Sequence, residues 1–186
     1  MRIAIAVALF GIAIHAMADQ LRAPVPVVFS SPTNEYYLRL VPGPFPSPLE
    51  YTKGGVYKVA ADKDELMYET TGWYSFHVLV SVNGESLARV EQSPMRGIRA
   101  SQTPVVAFYS RGVLSSQYML SDLVDNLDCL TGTLSMYFWS GPLRWGVNAM
   151  GEIAVLDTYD GQAIVFDMKT GRILEKRRIA TGCSEP

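Results

Sequence analysis

Trp73-Tyr74-Ser75-Phe76-His77-Val78-Leu79-Val80-Ser81-Val82 is the stretch whose reading decides the fold class. Tyr74, Phe76, Val78, Val80 and Val82 fall on one side of an extended chain. Trp73, Ser75, His77, Leu79 and Ser81 fall on the other. This period of two is that of a strand with its apolar side on a core. Asn83-Gly84 follows, a dipeptide that tolerates positive φ at both positions and favours a type I′ hairpin. Residues 85–90 then return as the partner strand.

The same grammar continues in both directions. Upstream, residues 34–41 alternate as a strand and run into Pro42-Gly43-Pro44-Phe45-Pro46-Ser47-Pro48, a stiff surface loop. Residues 55–60 form another strand, Asp62-Lys63-Asp64 its turn, and 66–70 the return. Downstream, 104–110 and 134–139 read as strands. Between them Leu120, Leu123, Val124 and Leu127 recur at helical spacing, with Ser121 as N-cap, so one short helical segment is expected near 121–128. Residues 152–158, 162–167 and 172–179 form a terminal meander. Its turns are Asp160-Gly161 and Lys169-Thr170-Gly171, with glycine at the positive-φ position. Strands with turn signals this regular predict an all-β domain of antiparallel meanders.

The chain has 186 residues, 48% of them hydrophobic and 18% charged, with a formal net charge of −2. That composition excludes a disordered chain and a strongly basic nucleic-acid footprint. Met1-Arg2, the apolar run 3–14 and Ala16-Met17-Ala18 read as a signal peptide over 1–18, leaving a single all-β domain over 19–186. The apolar run is too short to span a bilayer, so the cleaved protein is not expected to cross a membrane. Export to the periplasm or medium favours a disulfide between Cys129 and Cys183, the only two cysteines. The alternative is two free thiols.

Two turns share a pattern. Ser81-Val82-Asn83-Gly84-Glu85-Ser86-Leu87 resembles the turn that opens many propeller-blade strands, and Thr158-Tyr159-Asp160-Gly161-Gln162-Ala163-Ile164 repeats it. Phe166-Asp167-Met168-Lys169-Thr170-Gly171-Arg172-Ile173 resembles the strand–turn–strand end of a quinoprotein- or WD-type blade. Tyr118-Met119-Leu120-Ser121-Asp122-Leu123, the aromatic strand ending at Trp139, and Trp145 extend the likeness. Taken together the chain resembles uncharacterised small exported bacterial proteins with degenerate β-propeller-blade-like motifs, a group that brings no active site with it. A closed propeller needs at least four blades of roughly 40 residues. The expectation is therefore an incomplete propeller-like stack or a β-sandwich. In general build the chain is also similar to periplasmic immunity proteins that neutralise cell-wall-degrading toxins.

Little catalytic chemistry is available. His77 is the only histidine outside the leader, it sits mid-strand, and no G-x-S-x-G occurs. Asp122, Asp125 and Asp128 lack the glycine and glutamate of a calcium loop and read as a solvated face opposite Leu123 and Leu127. No P-loop or dinucleotide fingerprint is present, and no catalytic residue, metal or cofactor is assigned. Lys176-Arg177-Arg178 reads as protection of an edge strand. The aromatics outnumber what a small core needs, so Trp73, Trp139 and Trp145 are candidates for a binding surface.

The leading function is an exported non-enzymatic binding or structural module acting through a β surface. Its partner would be another exported protein or a cell-envelope glycan. The first alternative is a periplasmic inhibitor or immunity protein presenting a rigid loop, 42–48 or 93–101. The second is a hydrolase with paired carboxylates.

Overall fold

In the computed structural model, which describes residues 23–44, 49–91, 94, 99, 102–133, 136–149, 151–179 and 183, one strand reveals the architecture. β7 (Pro104–Ser110) carries five consecutive buried residues: Val105, Val106, Ala107, Phe108 and Tyr109. They divide between two cores. Val105, Val106 and Phe108 belong to one, Ala107 and Tyr109 to the other. A strand buried on both faces has lost the alternation of a half-exposed one. β7 therefore lies in a middle layer.

Three four-stranded antiparallel sheets make up the stack. The first runs β1 (Val27–Ser30), β2 (Tyr36–Val41), β3 (Lys53–Lys58), β4 (Glu65–Thr71). The second runs β5 (Val78–Val80), β6 (Ser86–Val90), β7, β8 (Val113–Met119). A two-stranded ribbon, β9 (Thr131–Gly132) with β10 (Tyr137–Phe138), intervenes. The third runs β11 (Arg144–Asn148), β12 (Gly151–Asp157), β13 (Gln162–Asp167), β14 (Ile173–Arg178). In each sheet the strands pair in chain order, as in a blade. The expected all-β class describes this arrangement, and the stacked antiparallel sheets fit either expected form, an incomplete propeller-like stack or a β-sandwich.

The core between the first and second sheets is built from Leu38, Leu40, Val56, Trp73, Tyr74, Val78, Val80, Leu87, Ala107 and Tyr109. The core between the second and third includes Ala88, Val90, Phe108, Leu123, Trp139, Leu156, Ile164 and Phe166. Neither cluster joins the first sheet to the third. Tyrosine hydroxyls tie the layers together. Tyr68 on β4 donates to the Gly84 carbonyl of the next sheet at 2.6 Å, and Tyr118 on β8 donates to the Gly171 carbonyl at 2.8 Å. Burial raises the pKa of both phenols.

Three turns repeat one hydrogen-bond scheme. In each, a Ser or Thr N–H donates to the carbonyl of the returning strand, and that strand's N–H donates to the hydroxyl. The pairs are Ser31 with Tyr36, Ser81 with Ser86, and Thr158 with Gln162. The residue in left-handed conformation is Asn34, Gly84 or Gly161 (φ 58°, 72° and 83°). The two copies seen in the sequence are thus joined by a third, which had escaped because asparagine replaces glycine.

Several expectations are corrected. Only residues 78–80 of the stretch 73–82 are strand. The Ser75 hydroxyl shares its one proton between the carbonyls of His77 and Val90, and accepts from the His77 N–H. This local network takes the place of a ladder, so Trp73, Tyr74 and Ser75 are all buried and do not alternate. Asn83-Gly84 is not type I′, because only Gly84 has positive φ; Arg111-Gly112, at φ 46° and 81°, has both. The helical segment is one turn, α1 (Leu120–Leu123), followed by a 3-10 turn (Leu127–Cys129). Leu127 is exposed instead of facing a core. The proposed leader 1–18 lies outside the described residues.

The Cys129–Cys183 disulfide is present, with a Cα–Cα distance of 4.9 Å. The segment it holds is fixed twice more. Lys176 pairs with Asp125 at 2.8 Å, and the buried Asp160 carboxylate accepts the backbone N–H groups of Asp125 and Asn126. β14 is the edge of its sheet, with Lys176, Arg177 and Arg178 exposed on it, as a protected edge requires.

Candidate functional site

The outward face of the first sheet follows from its register. Leu38, Leu40 and Val56 point into the core, so Tyr37, Arg39 and Val41 on β2 and Lys53, Gly55 and Tyr57 on β3 point away from it. Arg39, Gly55 and Glu69 lie side by side across β2, β3 and β4. Gly55 contributes no side chain, the Tyr57 ring packs against it, and this part of the sheet lines a groove of about 470 Å³. Arg39, Val41, Lys53, Tyr57 and Glu69 line the sheet side. Pro42, Gly43, Pro44 and Tyr51 form the rim. The volume falls in the range of small-ligand sites.

Arg39, Lys53 and Glu69 are exposed, and none makes an ion pair among the described residues. Tyr37 stacks on Tyr57 with centroids 5.2 Å apart and donates to Asp64 at 2.7 Å. The hydrogen bond to that carboxylate holds the Tyr37 phenol above its ordinary pKa. Tyr51 is 60% exposed at the rim. Gly55 is buried, and the space a Cβ would take is already filled: it would meet the Tyr57 ring at 2.8 Å and Leu66 at 3.0 Å.

The predicted tryptophan surface does not form. Trp73 is buried in the first core, stacked on Tyr109 at 4.9 Å with the Arg89 guanidinium 5.5 Å from its ring. Trp139 is fully buried in the second core, its indole N–H donating to the Glu91 carbonyl at 2.6 Å. Trp145 is half-buried on β11. The stacking that covers both faces of the middle sheet accounts for the first two, a use of aromatics that composition does not reveal. The groove escaped sequence reasoning because its residues come from three strands. Its one local signal was Gly54-Gly55 inside a strand pattern, which marks a close approach or an open floor.

His77 is exposed just before β5, and partial desolvation lowers its pKa. Asp122 accepts from the Met119 N–H, and Asp125 pairs with Lys176. Among the described residues no cluster of three or more His, Cys, Asp or Glu is placed to hold a metal, and no helix is long and apolar enough to cross a membrane. The groove holds a single carboxylate, Glu69, whereas carboxylate-pair hydrolysis needs two in one cleft. Residues 45–48 and most of 93–101, the loops an inhibitor would present, lie outside the described residues. No protein-family model matches this chain, and no curated protein matches it.

Proposed function

We propose that this protein is an exported, non-enzymatic binding module whose ligand sits on the outer face of the first sheet. The observation that carries the reading is the groove beside Gly55, where Arg39, Lys53 and Glu69 are exposed, make no ion pair among the described residues, and stand near exposed Tyr51. Binding sites combine an apolar surface with a few convergent polar groups, and this groove has both. The disulfide suits an oxidising compartment and supports export.

An NMR titration of the full chain against a panel of saccharides and short peptides tests the reading. Shifts should gather on Arg39, Lys53, Gly55, Tyr57 and Glu69. Shifts confined to the third sheet, or none with any member of the panel, would overturn it.

A further inference from the structure

We propose that the groove takes a saccharide bearing a carboxylate, an inference that rests on the binding-module reading above. Arg39 and Glu69 lie on the two strands flanking β3, so two strand spacings, about 9–10 Å, separate their backbones. Between them Gly55 carries no side chain, and the Tyr57 ring packs over it. Lys53 stands on β3 two residues before Gly55, diagonal to both Arg39 and Glu69, so the cations lie on β2 and β3 and the carboxylate on β4.

The groove is thus polar at both flanks, apolar along the Tyr57 and Tyr51 rings, and positive by one charge. A sugar ring has the matching form, with hydrogen-bonding groups round its rim and C–H groups on its faces. Its carboxylate would meet Arg39 and Lys53 in charge-assisted hydrogen bonds. Glu69 would accept from a hydroxyl or amide N–H on the far rim and repel the carboxylate from that end, fixing the orientation.

Other ligand chemistries fit less well. An extended peptide docks on a free strand edge, where main-chain groups are unpaired. Here β2 and β3, which carry most of the groove, are paired on both sides, and the edge strand β4 contributes only Glu69. A nucleic acid needs a row of cations, and Glu69 interrupts this one.

Calorimetric titration of the full chain decides the matter with three probes: a disaccharide containing N-acetylmuramic acid, a disaccharide of N-acetylglucosamine alone, and tetraglutamate. The acidic disaccharide should bind roughly tenfold tighter than the neutral one, as a charge-assisted contact implies. Arg39→Gln with Lys53→Gln, both at exposed positions, should abolish that preference. Gly55→Val should remove binding of both sugars, since its side chain would collide with the Tyr57 ring and Leu66 and displace the surface between Arg39 and Glu69. Equal affinity for the two disaccharides, still lost in Gly55→Val, would overturn the carboxylate inference and leave the binding module standing. Tighter binding of tetraglutamate would overturn the saccharide class in the same way. Absence of binding by either sugar also overturns the inference, and the NMR panel then decides the module separately.

Discussion

The Asp160 carboxylate lies 2.8 Å from the backbone nitrogen of Asp125, thirty-five residues earlier in the chain, and is itself fully buried. It also accepts from the Asn126 N–H, the Gln162 amide and the Thr158 hydroxyl. One turn residue thereby anchors the segment that leads to the disulfide.

Asp160 carries a pH dependence. Burial alone would raise its pKa, but the donors from Thr158, Gln162, Asp125 and Asn126 outweigh this and hold it below the ordinary value. Its contribution to stability is therefore complete above the unfolded pKa of about 4 and is lost as pH falls through the depressed folded value. Asp160→Asn should cost about 1–3 kcal/mol at neutral pH. In urea titrations the gap between variant and parent should hold steady down to about pH 5 and shrink below about pH 4. A gap that widens on acidification would contradict the assignment.

The disulfide joins cysteines 54 positions apart. Loop-closure entropy places its contribution at about 4 kcal/mol. Replacing both cysteines by serine should lower the urea midpoint accordingly. It should also raise hydrogen exchange at the C-terminal end of β14, which docks through the Ile179 N–H on the Gly161 carbonyl. A loss below about 1 kcal/mol would show that the other anchors of residues 125–129 suffice alone.

Gly171 sits where two sheets touch. Its φ is 72°, and a Cβ there would lie 2.0 Å from Ser116 Oγ and 2.6 Å from the Phe108 ring. Gly171→Ala should cost about 2–4 kcal/mol, combining left-handed backbone with overpacking. Calorimetric unfolding checks this, and a neutral result would mean that the second and third sheets lie further apart than described.

Phe108 and Phe76 should separate clearly. Phe108 is fully buried between the second and third sheets, while Phe76 only flanks the first core, edge-on to Tyr74 at 5.0 Å. Phe108→Ala should cost about 3–5 kcal/mol and Phe76→Ala visibly less. Equal losses in denaturant titration would count against a doubly covered middle sheet.

Much of this fold was legible because alternation and turn chemistry act locally. Val78 and Val80 could be assigned to a core from neighbours alone, as could the left-handed Gly171. The misreadings share a physical origin in contacts between layers. Trp73 and Trp139 looked like surplus aromatics until a middle sheet buried them. Residues 73–77 looked like strand until the Ser75 hydroxyl captured two carbonyls. The groove was hidden most deeply, since Arg39, Gly55 and Glu69 become neighbours only through strand register.

The pairing of strands in chain order also bears on how fast the protein assembles. Each sheet closes through connections between consecutive strands, so every ladder joins strands that follow one another in the chain. Loop-closure entropy is then small at each step, and relative contact order stays low for an all-β chain. The sheets can form one after another as the chain emerges, and the Cys129–Cys183 bond then joins segments that are already ordered.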